Sequence, residues 1–276
     1  MSEPKVGRPS GSPAGRAVLI GLVALYMGVL VLAPLGALAV GAFSHGVVPL
    51  LRALVTPEVL DSFRLTVVIG AICVVFHLVS GTLVAWVLVR QRFLGRQLWS
   101  GLVDLPFAVS PVVVGYMLLL IFGRRGLLGP ALDTLGIKVA FAFPGMVLAT
   151  LFVTIPLMIR ELMPALHALG VEQEQAAATL GASGWETFWS IVFPSLRWGF
   201  VYGTVLTFAR ALGEFGAVLV VGGGVQGRTE TATLFVYRAL EERQYVAAYG
   251  AALVLGVLSL ALVLGVDALR RREKRR

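Results

Sequence analysis

Long apolar runs separated by short polar intervals set the pattern of this chain. No Asp, Glu, Lys or Arg occurs between Arg16 and Arg52, and the stretch from Ala17 to Phe43 is almost wholly apolar. Equivalent uncharged runs cover Leu65 to Val89, Leu105 to Gly123, Val139 to Ile159 and Gln244 to Val266. A further run, Phe200 to Val221, is apolar except for Arg210 and Glu214. Hydrocarbon about 30 Å thick is crossed by about 20 apolar residues in a helix rising about 1.5 Å per residue. The pattern therefore predicts six transmembrane helices in an all-α integral membrane protein. Membrane-spanning strands would alternate apolar and polar residues over about 10 positions, and these runs do not. Ala37-Leu38-Ala39 imitates a signal-peptide cleavage site. The apolar run before it is longer than the roughly 7–15 residues of a signal core, so the run reads as a retained span.

Composition agrees and narrows the class. Of 276 residues, 58% are hydrophobic and 14% charged, against about 45–50% and about 25% in soluble domains. An ordinary water-soluble fold is excluded, and the single cysteine, Cys73, cannot form an intramolecular disulfide. Six spans place both termini on one side. With the termini inside, fourteen Lys and Arg fall on the cytoplasmic side and eight outside. Six of the fourteen lie from Arg270 onward, so orientation rests on that cluster. The net charge of +8 accordingly reads as a membrane anchor near anionic lipid, with no nucleic acid as partner. The expected organisation is a disordered cytoplasmic tail over 1–16, a transmembrane domain over 17–266 and a basic cytoplasmic tail over 267–276.

One interval is long: residues 160–199 form a polar stretch between spans four and five. Loops of such length usually carry structure or a function. Gln173 to Ala178 are strong helix formers, and Gly181 follows where a helix would stop. Ser183-Gly184-Trp185-Glu186 has the spacing of a capping box. It opens a second short helix containing Trp185, Phe188 and Trp189, which Pro194 is expected to close. The expectation is helix, tight turn, helix on the cytoplasmic face, with an Ala-rich surface suited to docking in a partner's groove.

Gln175-Ala176-Ala177, three residues, Gly181, nine residues and then Ile191-x-Phe193-Pro194 resembles the EAA signature of ABC-transporter permeases, Glu-Ala-Ala-x3-Gly-x9-Ile-x-Leu-Pro. Gln175 replaces the glutamate and Phe193 the leucine, with Glu172 and Glu174 close by. Phe208-Ala209-Arg210-Ala211-Leu212-Gly213-Glu214-Phe215-Gly216-Ala217 is similar to a stretch of the anion-importing permeases for sulfate, thiosulfate and molybdate. Gly181 to Trp185, Arg197-Trp198, Gln244-Tyr245-x-Ala247-Ala248 and Leu105 to Gly115 look most like the sulfate (CysW-type) branch. The resemblance covers most of residues 60–266. It implies the fold of a type I ABC importer permease, non-catalytic itself, translocating sulfate or thiosulfate across the cytoplasmic membrane. It also implies coupling to ATPase subunits through Gln175, Ala176, Ala177, Gly181, Ala182, Ser183, Ile191 and Pro194. The implied partners are a homologous second permease, two ATP-binding subunits that use ATP and Mg, and an external anion-binding protein. No cofactor is expected on this chain. A molybdate or tungstate permease is the alternative in the same class. A stand-alone channel or secondary transporter would predict internal symmetry, which the sequence lacks, and a membrane enzyme would need a catalytic constellation.

Charge inside a span costs about 2.5–3.5 kcal/mol at the bilayer centre, so Arg210 and Glu214 need each other or an aqueous cavity. Their spacing places them on one helix face. They neutralise each other, and they are also the candidates for the anion pathway. Gly199, Gly203, Gly213 and Gly216 read as close-packing positions. Asp104 reads as a cap or turn, His77 as a hydrogen-bonded packing residue, and Cys73 as apolar filler. Gly222 to Thr229 nearly fits a phosphate-binding loop, but it lacks the preceding strand and the lysine and reads as a flexible external turn. No metal-ligand spacing appears.

Overall fold

The computed structural model describes residues 13–273. The chain opens with α1 (Pro13–Phe43), a short α2 (Val47–Leu54) and the long α3 (Pro57–Arg90). Next come α4 (Arg96–Ala108), α5 (Pro111–Phe122), a one-turn α6 (Gly129–Thr134) and α7 (Phe143–Leu169). α8 (Glu172–Thr179) and α9 (Gly184–Thr187) precede a π-helical turn (Phe188–Val192) and α10 (Phe193–Leu212). α11 (Gly216–Gly222), α12 (Ala232–Glu241) and α13 (Tyr245–Glu273) complete the chain. No strand occurs among the described residues.

Among the described residues, five helical stretches are long and apolar enough to cross a membrane, and the bent pair α4–α5 makes the sixth candidate. That third span is not one helix, as the charge-free run suggests. It breaks by 110° between Ala108 and Pro111, because Pro111 has no amide hydrogen to continue the ladder and pushes Ser110 into extended backbone. The pair still crosses. α4 binds the Arg160 level of α7, whereas α5 reaches Ala217 of α11 and shares a core with Met146 of α7. Met146 and Arg160 are about 21 Å apart along a helix.

α7 is the axis of the bundle and packs against α3, α4, α5, α10 and α11. One end of its core gathers Ile69, Cys73, Val114, Ala149, Val153, Ala217 and Val221. The other gathers Ala85, Met158, Ile159, Leu162, Leu166, Val192, Leu196 and Phe200. Small residues set the helix distances. A Cβ on Gly203 would lie 2.5 Å from Met158 Sδ, and one on Gly216 would lie 3.2 Å from Pro111 and Val112. Gly199 sits as closely on Leu162, so three of the four expected packing glycines act as such. Gly213 has only the Arg210 carbonyl oxygen within 4 Å and takes no part. Apolar on every side, α1 packs on α13 and α2 and leaves Leu19, Leu22, Leu25 and Leu32 exposed, which is a lipid-facing surface.

Several boundaries differ from the charge pattern. Charged residues end a membrane run without ending a helix, so α7 continues past Arg160 to Leu169 and α13 runs on to Glu273. The excursion expected over 160–199 shrinks to residues 170–192, and residues 267–273 are helix and not tail. Of the expected N-terminal tail, residues 13–16 are the start of α1, and residues 1–12 lie outside the described part. Pro194 does not close the second short helix. It falls in the first turn of α10, whose backbone is continuous with α9 through the π-turn. The widened turn accommodates the proline ring and its missing donor.

Candidate coupling site and intramembrane charge pair

The α8–α9 knob is built by local chemistry. Glu172 and Glu174 lie in the first turn of α8, where the helix dipole favours carboxylates. Its C-terminus is a Schellman motif: the Ala182 amide donates to the Ala177 carbonyl at 3.0 Å, and the Gly181 amide to that of Ala178 at 3.0 Å. Gly181 has φ +86°, a conformation that glycine adopts without penalty. The capping box forms as the sequence predicts. Ser183 N–H donates to Glu186 Oε2 at 2.7 Å, and the Glu186 amide donates to Ser183 Oγ at 3.2 Å. The Ser183 backbone amide first, and its hydroxyl second, hydrogen-bond the Glu186 carboxylate and hold it below the usual range.

Of the predicted contact residues, Gln175, Ala176, Gly181, Ser183 and Pro194 are exposed, and Ala177, Ala182 and Ile191 are half-buried. Exposed apolar groups adjoin them. Leu180 is 88% and Trp185 71% exposed. Trp185, Phe188, Trp189 and Phe193 form a chain of ring contacts 4.9–6.5 Å between centroids that ends on the buried Phe200. Exposed apolar groups clustered on a rigidly capped knob form a candidate interaction surface. Replacing Ser183 with alanine is expected to remove about 1 kcal/mol of cap, read as roughly fivefold faster exchange of the Glu186 amide. A carboxyl held low in the folded state stabilises above its unfolded range. The capping box is therefore expected to loosen as pH falls through the folded value, below the ordinary carboxylate range.

Sequence reasoning overlooked Arg90 here. It counts as one more cytoplasmic charge, yet its side chain is 9% exposed and binds Glu174, with Nη2–Oε1 at 2.6 Å. Glu174 thus faces inward and does not replace the motif glutamate, which leaves Glu172 as the exposed carboxylate beside Gln175. No signal in the spacing of the two residues, 84 apart, could have paired them.

Inside the bundle, Arg210 Nη1 lies 2.8 Å from Glu214 Oε2. The pair forms, but not on one helix face: α10 ends at Leu212, and Glu214 sits in the break before α11. There Glu214 Oε1 accepts from the Ala217 amide at 3.0 Å and caps α11. Thr233 Oγ1 donates to the Glu214 carbonyl at 2.6 Å and ties the break to α12. Glu214 is buried, with 2% of its side chain exposed, whereas 37% of the Arg210 side chain is uncovered.

Asp104 is neither cap nor turn. It lies within α4 and pairs through both carboxylate oxygens with Arg160, Nε–Oδ1 at 2.7 Å, which fastens the broken span to α7. His77 is fully buried, its Nε2 3.0 Å from Thr154 Oγ1 and 3.2 Å from the Leu151 carbonyl, joining α3 to α7 as a packing residue. Cys73 fills the core. The glycine-rich stretch follows a helix and is a stapled turn instead of a loose one. Thr229 Oγ1 donates to the Gly222 carbonyl at 2.7 Å and accepts from the Val225 amide at 2.9 Å. On the same side Arg238 pairs with the buried Glu230, Nε–Oε1 at 2.6 Å, and with Glu242 and Glu58. Glu230 raises the Arg238 pKa and keeps it charged at any ordinary pH.

Among the described residues, five candidate spans, a bent sixth and a capped apolar knob at one end define a polytopic helical membrane protein. Residues 77–276 match the family described as "Binding-protein-dependent transport system inner membrane component", and the chain belongs to that family. It is 44% identical over 257 residues, 93% of this chain and 90% of the other, to the "Sulfate transport system permease protein CysW" of Synechococcus elongatus. It is 36% identical, over 95% of each chain, to the "Sulfate transport system permease protein CysT" of Escherichia coli K12. Among solved structures, a bacterial ABC transporter for import of the acidic polysaccharide alginate superposes with TM-score 0.75 at 17% identity, covering 93% of this chain and 94% of that one.

Proposed function

We propose that this chain is the permease subunit of an ATP-driven importer of sulfate across the cytoplasmic membrane. The observation that carries the substrate is the 44% identity to a sulfate permease over nine-tenths of both chains. In this reading a homologous second permease completes the pathway, two ATP-binding subunits hydrolyse ATP with Mg, and an external binding protein delivers the anion. The chain itself binds no cofactor. Both termini and the α8–α9 knob are cytoplasmic, in line with the basic cluster from Arg270 onward.

The fold suits this division of labour. Closure of the ATPases presses on the knob, and α9, the π-turn and α10 form one helical rod from the knob to the Arg210–Glu214 break. Motion at the cytoplasmic end is thereby delivered to the charge pair within the membrane, which fits a two-state rocking of the spans. Arg210, its charge balanced by Glu214 but its side chain partly uncovered, offers a weak station for a passing dianion. Cells carrying the system should accumulate labelled sulfate with little competition from equimolar molybdate. Suppression by molybdate to background would move the assignment to a molybdate permease.

A further inference from the structure

We infer that Arg90 is a positioning residue for energy coupling, which locks α8 to the ends of α3 and α7 so that the knob and these two spans move together. The inference rests on the permease reading above. α8 has no buried residue and packs on α9 and the π-turn, with little against α3 or α7. Its covalent link to α7 is Gly170-Val171, and Gly170 has φ +68° and ψ −164°, so the joint is a glycine hinge. A push on such a helix would bend the hinge before it moved the spans.

Arg90, the last residue of α3, bridges that hinge. Its Nη1 donates to the Leu166 carbonyl of α7 at 3.1 Å. Nη2 donates to the hinge carbonyl of Gly170 at 2.6 Å and to Glu174 Oε1 of α8 at 2.6 Å, and Nε reaches the same carboxylate oxygen at 3.1 Å. The guanidinium also lies 5.6 Å from the Trp86 ring centroid on its own helix. One planar group with five donors in fixed directions thus satisfies orphan carbonyls at the end of α7 and a carboxylate of α8 at once. Lysine has a single ammonium and cannot span these partners, so Arg90→Lys keeps the charge and loses the geometry.

The test uses the complete complex in proteoliposomes with loaded binding protein. ATP hydrolysed per sulfate imported is compared for the parent, Arg90→Lys and Glu174→Gln. A spin-label pair at Gln91→Cys and Gln173→Cys reports the α3–α8 distance in each. Both variants are expected to keep ATP hydrolysis within about twofold of the parent, to raise the ATP-to-sulfate ratio at least fivefold and to broaden the distance distribution. An unchanged ratio overturns the proposal, whether the distribution broadens or not, since the tie would then be structural alone. If Arg90→Lys fails to assemble, Glu174→Gln decides, because it removes one charge from a helix with no buried residue. If the parent imports no sulfate, the substrate reading fails instead, and an unchanged distance distribution in both variants still overturns the tie.

Discussion

Gly181→Asp is expected to abolish ATP-dependent sulfate uptake while leaving the chain inserted at normal level. The reasons separate into backbone and surface. Gly181 occupies φ +86° at the C′ position of a Schellman motif, where an L-residue costs about 1–3 kcal/mol. A Cβ there meets nothing within 4 Å, so the free chain tolerates the side chain sterically, and α8 makes no core contact whose loss would unfold the bundle. The damage falls on docking. The new carboxylate stands beside Leu180, 88% exposed, on the surface proposed to dock the ATP-binding subunit. A charge buried unpaired at an interface costs several kcal/mol. Gly181→Ala carries the backbone penalty without the charge and should retain measurable uptake. Immunodetection in membranes with uptake of labelled sulfate reads both effects. Normal uptake by Gly181→Asp at normal level would remove the knob from the mechanism.

Arg210→Gln is expected to reduce uptake at least tenfold and also to destabilise the bundle. Glu214 has only 2% of its side chain exposed, and removing its cationic partner leaves a buried carboxylate whose remaining bond is the Ala217 amide. Breaking such a pair costs about 3–5 kcal/mol when both groups are buried, and less here because Arg210 is partly uncovered. The double variant Arg210→Gln/Glu214→Gln separates structure from transport. Without the unpaired charge, the thermal midpoint of the detergent-solubilised complex should recover toward the parent. Uptake should stay low if Arg210 serves the anion pathway as proposed. Recovery of uptake together with stability would assign Arg210 a purely structural role.

The features that could be read from the sequence are those with a local physical cause. Exclusion of charge from hydrocarbon marks five of the runs, and length and apolarity mark the sixth despite Arg210 and Glu214; the capping box and Gly181 stop mark both halves of the knob, since each is written within four residues. Features decided by geometry between distant residues were hidden. Pro111 is visible, but the 110° turn that it permits depends on α5 finding α11. Pro194 looked like a terminator because the π-turn that absorbs it has no sequence signature of its own. Asp104 and Arg160 lie 56 residues apart, and Arg90 and Glu174 lie 84 apart. Their pairing follows from α7 packing against both α3 and α4. The continuation of α7 past Arg160 and of α13 past Asp267 is not legible in the charge pattern, because charge ends a membrane run, whereas only backbone chemistry ends a helix.

Under the proposed function, this chain conducts sulfate only when ATP is hydrolysed by partners docked on its α8–α9 knob. The most direct measurement reconstitutes it with its second permease, ATP-binding subunits and external binding protein, and follows labelled sulfate entering proteoliposomes. Uptake should require ATP and loaded binding protein together and vanish when either is omitted. Sulfate flux by this chain without ATP, or uptake indifferent to the binding protein, would contradict the account.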